Sequence, residues 1–116
     1  MHLLVTQPGQ ILDDGEAVDL GQTPGDIVVL SAASSDLSVL ALARRASQAG
    51  GADGLPSLRL ANLMQLRHHM SVDVYLENTI AHARLVIVRL LGGAGYWPYG
   101  LEQLAALAKE KNILLA

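Results

Sequence analysis

The residues best suited to binding chemistry in this 116-residue chain stand together, directly after a long apolar run. The stretch is residues 92–99, and its candidate residues are two glycines and three aromatic residues: Gly92, Gly93, Tyr96, Trp97 and Tyr99. Glycine lets the backbone turn sharply or approach a partner closely, and aromatic side chains bury large areas or stack on flat ligands. Three interpretations stay open: the aromatic residues stack on a flat ligand, pack against a neighbouring domain, or wedge the loop against the helix that follows.

Two polar residues stand near the ends of predicted strands. Arg89 interrupts the apolar run 85–91, where an unpaired charge is costly. We therefore expect it to reach a carboxylate or a loop carbonyl, or to bind an anionic ligand. Asn62 stands in a second predicted strand. Because ligands bind beyond the carboxyl ends of strands in open parallel sheets, both residues and the loop 92–99 are candidate ligand- or interface-binding groups, and Thr6, Gln7 and Ser31 occupy similar positions.

The sequence lacks the patterns of several other sites. The stretch 93–98 ends in proline where a dinucleotide fingerprint needs glycine, and no Walker lysine follows it. His68 and His69 are adjacent, so they point apart on a regular element and form a poor chelating pair. No set of nucleophile, base and orienting group is recognisable. We therefore expect no catalytic residue, no metal site and no cofactor bound by these 116 residues.

Composition narrows the class of protein. The net charge of −3 gives no basic surface for nucleic acid. No apolar run reaches the roughly 18 residues of a spanning helix, and the absence of cysteine is consistent with a cytoplasmic protein. The length suits one domain over residues 1–116. The hydrophobic content of 51% indicates strands that are buried on both faces, or a surface that packs on another domain.

Apolar runs alternate with helical periods, which predicts an α/β domain. We expect an open, mostly parallel five-strand sheet with flanking helices, flavodoxin-like in layout, with its strand order left open. Ser34 or Ser35 and Ser71 are the expected helix caps. The predicted strands are 2–5, 27–31, 58–63, 85–91 and 113–116, and the predicted helices are 36–48, 72–83 and 101–111.

Residues 89–100, reading R-L-L-G-G-A-G-Y-W-P-Y-G, resemble a stretch near the N-terminus of the large subunit of aerobic cobaltochelatase. That family is related to the large H subunit of magnesium chelatase. Residues 15–31 and 56–75 resemble the same family in the same order, although His69 stands where its motif has proline. The resemblance covers the whole chain but a small part of the family protein, so we expect an N-terminal fragment of a much larger subunit.

The resemblance implies a function for the full-length protein. It would insert Co²⁺ into hydrogenobyrinic acid a,c-diamide during aerobic cobalamin biosynthesis, in a complex that uses ATP and Mg²⁺ through AAA+ partner subunits. This fragment alone is expected to be inactive. Its partners would be the remaining domains of the subunit, the AAA+ subunits and the tetrapyrrole. Two alternatives stay open: a magnesium chelatase subunit acting on protoporphyrin IX, and a structural or docking module without a catalytic role.

Overall fold

The structure is a computed structural model that describes residues 17–51 and 54–116. These residues form an α/β fold with an open sheet of four parallel strands and three α-helices. The strands are β1 (Ile27–Ser31), β2 (Leu58–Asn62), β3 (Leu85–Arg89) and β4 (Leu114–Leu115), and the helices are α1 (Ser34–Ala49), α2 (His69–Asn78) and α3 (Pro98–Lys111). The predicted α/β class and parallel sheet are confirmed. The predicted strand at residues 2–5 lies outside the described residues.

The strand order is β2-β1-β3-β4, so β1 and β3 lie at the centre of the described sheet. β1 is in register with both neighbours, because Ile27 lies beside Leu58 on one side and Leu85 on the other. β4 is shorter than predicted, with two residues instead of four. Its pairing extends one residue further, since the Ala116 amide donates to the Val86 carbonyl over 2.9 Å.

The core lies on one face of the sheet. Val28, Leu30 and Val86 are each 0% exposed there. They pack with side chains of α2 and α3, among them Val72 and Leu104. Alternation along the strands brings these residues to one face, so burial of that face against two helices stabilises the fold.

The described residues cover the other face only partly, which differs from the expectation that the apolar run 85–91 forms a strand buried on both faces. Val86 is 0% exposed, whereas its neighbour Ile87 is 36% exposed. The Asp36 carboxylate of α1 bonds the side chains of Ser31 and Arg89, which places this helix on the Ile87 side of the sheet. α1 itself has no buried residue. Apolar runs identify a strand, but burial of its second face depends on which element covers it.

Two predicted caps are wrong. α2 begins at His69 because the His68 imidazole accepts the Met70 amide through Nδ1 at 3.1 Å. Ser71, the predicted cap, lies inside the helix and accepts the Val18 amide over 2.7 Å. α1 begins at Ser34 without a side-chain cap, since Ala33 occupies the N-cap position.

The remaining helix ends also differ from the predicted ones. α2 ends at Asn78, and a separate 3₁₀ turn, Ile80–His82, follows it. α3 begins at Pro98, three residues earlier than predicted. Proline suits this position because its fixed φ matches the first helical turn and its missing N–H is not needed there. α3 ends at Lys111, as its predicted range 101–111 has it, and Asn112 follows in the left-handed conformation with φ 56°.

The segment before β1 is fastened to the edge strand β2 and to α2. Gln22 donates from Nε2 to the Leu60 carbonyl over 2.7 Å and accepts the Tyr75 hydroxyl over 2.6 Å. The Thr79 hydroxyl donates to the Gln22 carbonyl over 2.8 Å. Burial raises the pKa of Tyr75, so this phenol stays a hydrogen-bond donor. These contacts cover part of an edge that would otherwise present unpaired backbone groups.

Candidate functional site

The carboxyl ends of β2, β1 and β3 form a polar row. Asn62, Ser31 and Arg89 are register partners on three adjacent strands. Side chains in register on neighbouring strands point to the same face, and in this row that face is the α1 side. The sequence-predicted residues Asn62 and Arg89 are thus brought close together, with Ser31 between them.

Asp36 in the first turn of α1 holds two members of this row. It accepts the Ser31 hydroxyl through Oδ2 at 3.1 Å, and its Oδ1 lies 3.2 Å from Nη1 of Arg89. The same Ser31 hydroxyl accepts the Ala33 amide over 3.0 Å. A carboxylate in the first turn of a helix is favourable because the amide groups there are unpaired. The arrangement therefore joins the start of α1 to the ends of β1 and β3.

Arg89 pairs with a carboxylate, as one of its predicted alternatives stated, but it is not buried. Its side chain is 69% exposed, and it is the last residue of β3. An exposed pair of this kind contributes at most about 1 kcal/mol. Since the Arg89 guanidinium is largely exposed, the fold does not bear the free-energy cost of burying an unpaired charge.

Asn62 uses both polar atoms of its side chain locally. Its Oδ1 accepts the Met64 amide over 2.8 Å, and its Nδ2 donates to the Ser34 hydroxyl over 3.2 Å. The residue therefore caps the 3₁₀ turn Leu63–Gln65 and ties β2 to α1. A surface groove of about 530 Å³ adjoins it between α1 and β2, and Ser34, Asn62 and Met64 are among its lining residues.

The glycine loop after β3 depends on positive φ angles. Gly92 has φ 94° and Gly93 has φ 89° with ψ −165°, a region that L-residues adopt only under strain. A Cβ atom built on either glycine meets no atom within 4 Å. Backbone conformation, and not crowding, therefore requires glycine here, and the loop presents an open backbone surface beside the exposed Leu91.

Trp97 belongs to the core. It is 3% exposed, and its indole Nε1 donates to the Leu66 carbonyl over 3.0 Å. A Cβ on Gly100 would lie 1.9 Å from the indole Cε2, so the first turn of α3 packs directly on the ring. This burial favours the interpretation in which the ring packs the loop against α3, and a contact of Trp97 with a ligand or another domain stays a prediction.

The two tyrosines of the loop occupy different surroundings. Tyr99 lies in the first turn of α3 and donates its hydroxyl to Asp73 Oδ1 over 2.7 Å. Its ring stacks on His69, with centroids 3.8 Å apart and an interplanar angle of 16°. Tyr96 is half-buried against the core cluster. The aromatic residues therefore fasten the loop and α3 to the start of α2.

The predicted site residues fall into three groups. Asn62 and Arg89 join the polar row near α1, whereas Trp97 and Tyr99 pack near the start of α2. Gly92, Gly93 and Tyr96 lie in the connection between β3 and α3. Sequence reasoning did not identify Asp36 as the partner of Arg89 or Asp73 as the partner of Tyr99. The only signal for these pairs in the sequence is that both partners are acidic. Within residues 17–51 and 54–116 no three His, Cys, Asp or Glu side chains are grouped as a metal site would need.

Two curated proteins match nearly the whole chain. One is 50% identical over 115 residues, 99% of this chain, and is the aerobic cobaltochelatase subunit CobN of Pseudomonas aeruginosa. The other is 56% identical over 116 residues, 100% of this chain, and is the aerobic cobaltochelatase subunit CobN of Sinorhizobium sp. The chain spans 9% of the length of each relative. No protein-family model and no solved structure matches it. In the part of the chain that is described, no helix is long and apolar enough to span a membrane.

Proposed function

This chain is homologous to the N-terminal part of the aerobic cobaltochelatase subunit CobN, and from that premise we propose that it is the N-terminal domain of a cobaltochelatase large subunit. The full-length protein would insert Co²⁺, its metal substrate, into hydrogenobyrinic acid a,c-diamide in cobalamin biosynthesis. AAA+ partner subunits would supply ATP hydrolysis with Mg²⁺ in a cytoplasmic complex. The observation that carries this proposal is identity of 50% and 56% over nearly every residue of the chain.

Within that complex we assign this domain a positioning role and no chemical step. The hydrogen bonds of its polar side chains support this assignment. The side chains of Ser31, Asp36, Asn62 and Tyr99 bond to groups of the same domain. They join strand ends to helix starts, which suits a rigid support. The exposed loop with Gly92 and Gly93, and the half-buried Tyr96, are proposed to contact another part of the subunit or the tetrapyrrole.

A cobalt-insertion assay tests the function. The full-length subunit that contains this chain would be combined with its AAA+ partners, ATP, Mg²⁺, Co²⁺ and the corrinoid substrate, and insertion would be followed by the change in absorption spectrum. We expect cobalt insertion that requires ATP and all subunits. The competing magnesium chelatase function predicts Mg²⁺ insertion into protoporphyrin IX instead, and that result would contradict the proposal. A subunit that lacks residues 1–116 tests whether this domain is needed. Loss of cobalt insertion would support a positioning role, and unchanged insertion would show that the domain is dispensable.

The flavodoxin-like layout is also part of this proposal. The order β2-β1-β3-β4 agrees with the first four strands of the flavodoxin-type order 2-1-3-4-5. The fifth predicted strand, residues 2–5, lies outside the described residues, and the fifth strand of the flavodoxin-type order would pair with the edge of β4 that no described residue covers. Extending β4 with the next segment of the full-length protein and measuring amide exchange at Leu114 and Leu115 tests whether that edge becomes protected.

A further inference from the structure

The outer surface of α1 carries an apolar stripe, here called the outer stripe, made of Val39, Leu42, Ala43 and Ala46. These residues follow one another at spacings of three, one and three, so they share one side of the helix. All four are exposed. Val39 is 64% exposed and Leu42 is 62% exposed. The stripe contains no charged residue.

α1 is also apolar on its inner side, where Leu37 and Ala41 are half-buried and line the groove against β2. A helix at the surface of a domain normally has one apolar side and one polar side, and a helix that is apolar on both sides is normally enclosed. α1 therefore has the residue pattern of a helix that lies between the sheet and a second layer. Within the described residues it is covered from one side only.

The sheet supports the same conclusion from a second element. Ile87 lies two residues before Arg89, which contacts α1 through Asp36, so Ile87 faces the α1 side. It is 36% exposed. The described residues on the α1 side thus leave apolar groups uncovered on both the helix and β3.

We propose that the outer stripe of α1 packs against polypeptide of the same full-length subunit that lies outside these 116 residues. This rests on the proposed function, in which the chain is one domain of a larger subunit. The matched relatives are far longer, since this chain spans 9% of each. Most of such a subunit is therefore available to cover the stripe, and a covalent connection gives it a high effective concentration.

The size of the stripe favours this occupant over a second copy of the chain. Val39 is 64% exposed and Leu42 is 62% exposed, so with the two alanines the stripe offers on the order of a few hundred Å². This area is still below the roughly 800 Å² per partner of a stable interface between free proteins. A contact of this size is sufficient where the two surfaces already belong to one chain.

Thiol protection tests the proposal, because the 116 residues contain no cysteine. Val39→Cys would place a thiol in the stripe, and Leu42→Cys provides a second variant. Glu102→Cys is the matched control, at an exposed position on α3. Each variant would be made in the full-length subunit and in the 116-residue chain, then labelled with a water-soluble maleimide. Mass spectrometry of the modified peptide gives the labelling rate at each position.

We expect residue 39 to label at least about tenfold more slowly in the full-length subunit than in the 116-residue chain, as a group that reacts only after local opening does. Residue 102 should label at similar rates in both. Equal rates for residue 39, or equal slowing at both positions, would overturn the proposal. The proposal would also be overturned if the 116-residue chain sediments as a dimer and labels slowly at residue 39. The partner on the stripe would then be a second copy of the chain.

Failure of the docking proposal and failure of the proposed function give different results. Suppose that the full-length subunit inserts cobalt, but its Val39→Cys variant labels as fast as the 116-residue chain. That result would refute the docking proposal alone. A protected stripe in a subunit without cobalt-insertion activity would refute the function alone.

Discussion

Asp36 and Arg89 connect the first turn of α1 to the last residue of β3, with Oδ1 and Nη1 3.2 Å apart. Because Arg89 is 69% exposed, we expect Arg89→Ala to lower the free energy of unfolding by less than about 1 kcal/mol. Asp36→Ala should cost more, about 1–2 kcal/mol, since it also removes the acceptor of the buried Ser31 hydroxyl. Urea denaturation of both single variants and the double variant measures the coupling. A loss of 3 kcal/mol for Arg89→Ala would show that the charge is buried.

The pairing of Arg89 illustrates what the sequence could predict at the site. A charge inside an apolar run predicts that a carboxylate or carbonyl is near, and the structure confirms the carboxylate. The sequence does not identify which one, because Asp36 is brought to β3 by the parallel pairing of β1 with β3. Contacts between residues far apart in the chain follow from strand order, which periodicity does not determine.

The loop after β3 should tolerate alanine at Gly95 but not at Gly93. Gly93→Ala forces a side chain into a backbone region that is nearly exclusive to glycine, and we expect a loss of about 1–3 kcal/mol in unfolding free energy. Gly95 has no positive φ and no atom within 4 Å of a built Cβ. Gly95→Ala is therefore the matched control and should be neutral or slightly stabilising. Thermal denaturation of both variants measures the difference, and equal losses would contradict the described loop conformation.

Helix boundaries were predicted less well than strands, for a physical reason that α2 makes clear. Ser71 and His68 both offer a side-chain acceptor near the start of the helix, and serine is the stronger cap by preference. In the fold the Ser71 hydroxyl bonds the Val18 amide, 53 residues away in sequence. His68 caps the helix instead. The contact of Ser71 with the distant Val18 amide is therefore a feature of the fold that the local sequence does not reveal.

Stability should fall in acid through Asp26, whose carboxylate joins the start of β1 to the residue before β2. The Ser57 backbone N–H, and next the Ser57 hydroxyl, lower the pKa of Asp26 below its ordinary value of 3.8. A folded pKa below the unfolded one means that the stabilisation is present above the unfolded pKa and is lost as the pH falls through the folded pKa. We expect wild type and Asp26→Asn to differ in denaturation midpoint at pH 7 and to converge below the folded pKa.

Two variants control for this effect. Ser57→Ala removes one donor to Asp26, so it should weaken the same acid dependence. Glu102→Gln removes a carboxylate at an exposed position on α3 and should leave the contribution of Asp26 unchanged. An Asp26→Asn midpoint that stays parallel to wild type from pH 7 to pH 2 would show that the Ser57 contacts do not stabilise the folded state.

Trp97 provides the last prediction, because its burial favours a structural role. The indole is 3% exposed and bonded to the Leu66 carbonyl, so Trp97→Ala should destabilise the 116-residue chain by about 3–5 kcal/mol. Trp97→Phe keeps much of the ring volume and loses the hydrogen bond, which should cost less than the alanine variant.

Gly100→Ala tests the same packing from the opposite side, since its Cβ would overlap the indole. We expect it to destabilise by about 1–3 kcal/mol or more. Combined with Trp97→Ala, which removes the ring, Gly100→Ala should lose most of that cost, because the two changes act on one contact. Chemical denaturation of the two single variants and the double variant gives this coupling. If Trp97→Ala instead leaves the stability of the chain unchanged while it lowers cobalt insertion by the full-length subunit, the indole faces a partner and the core assignment is wrong.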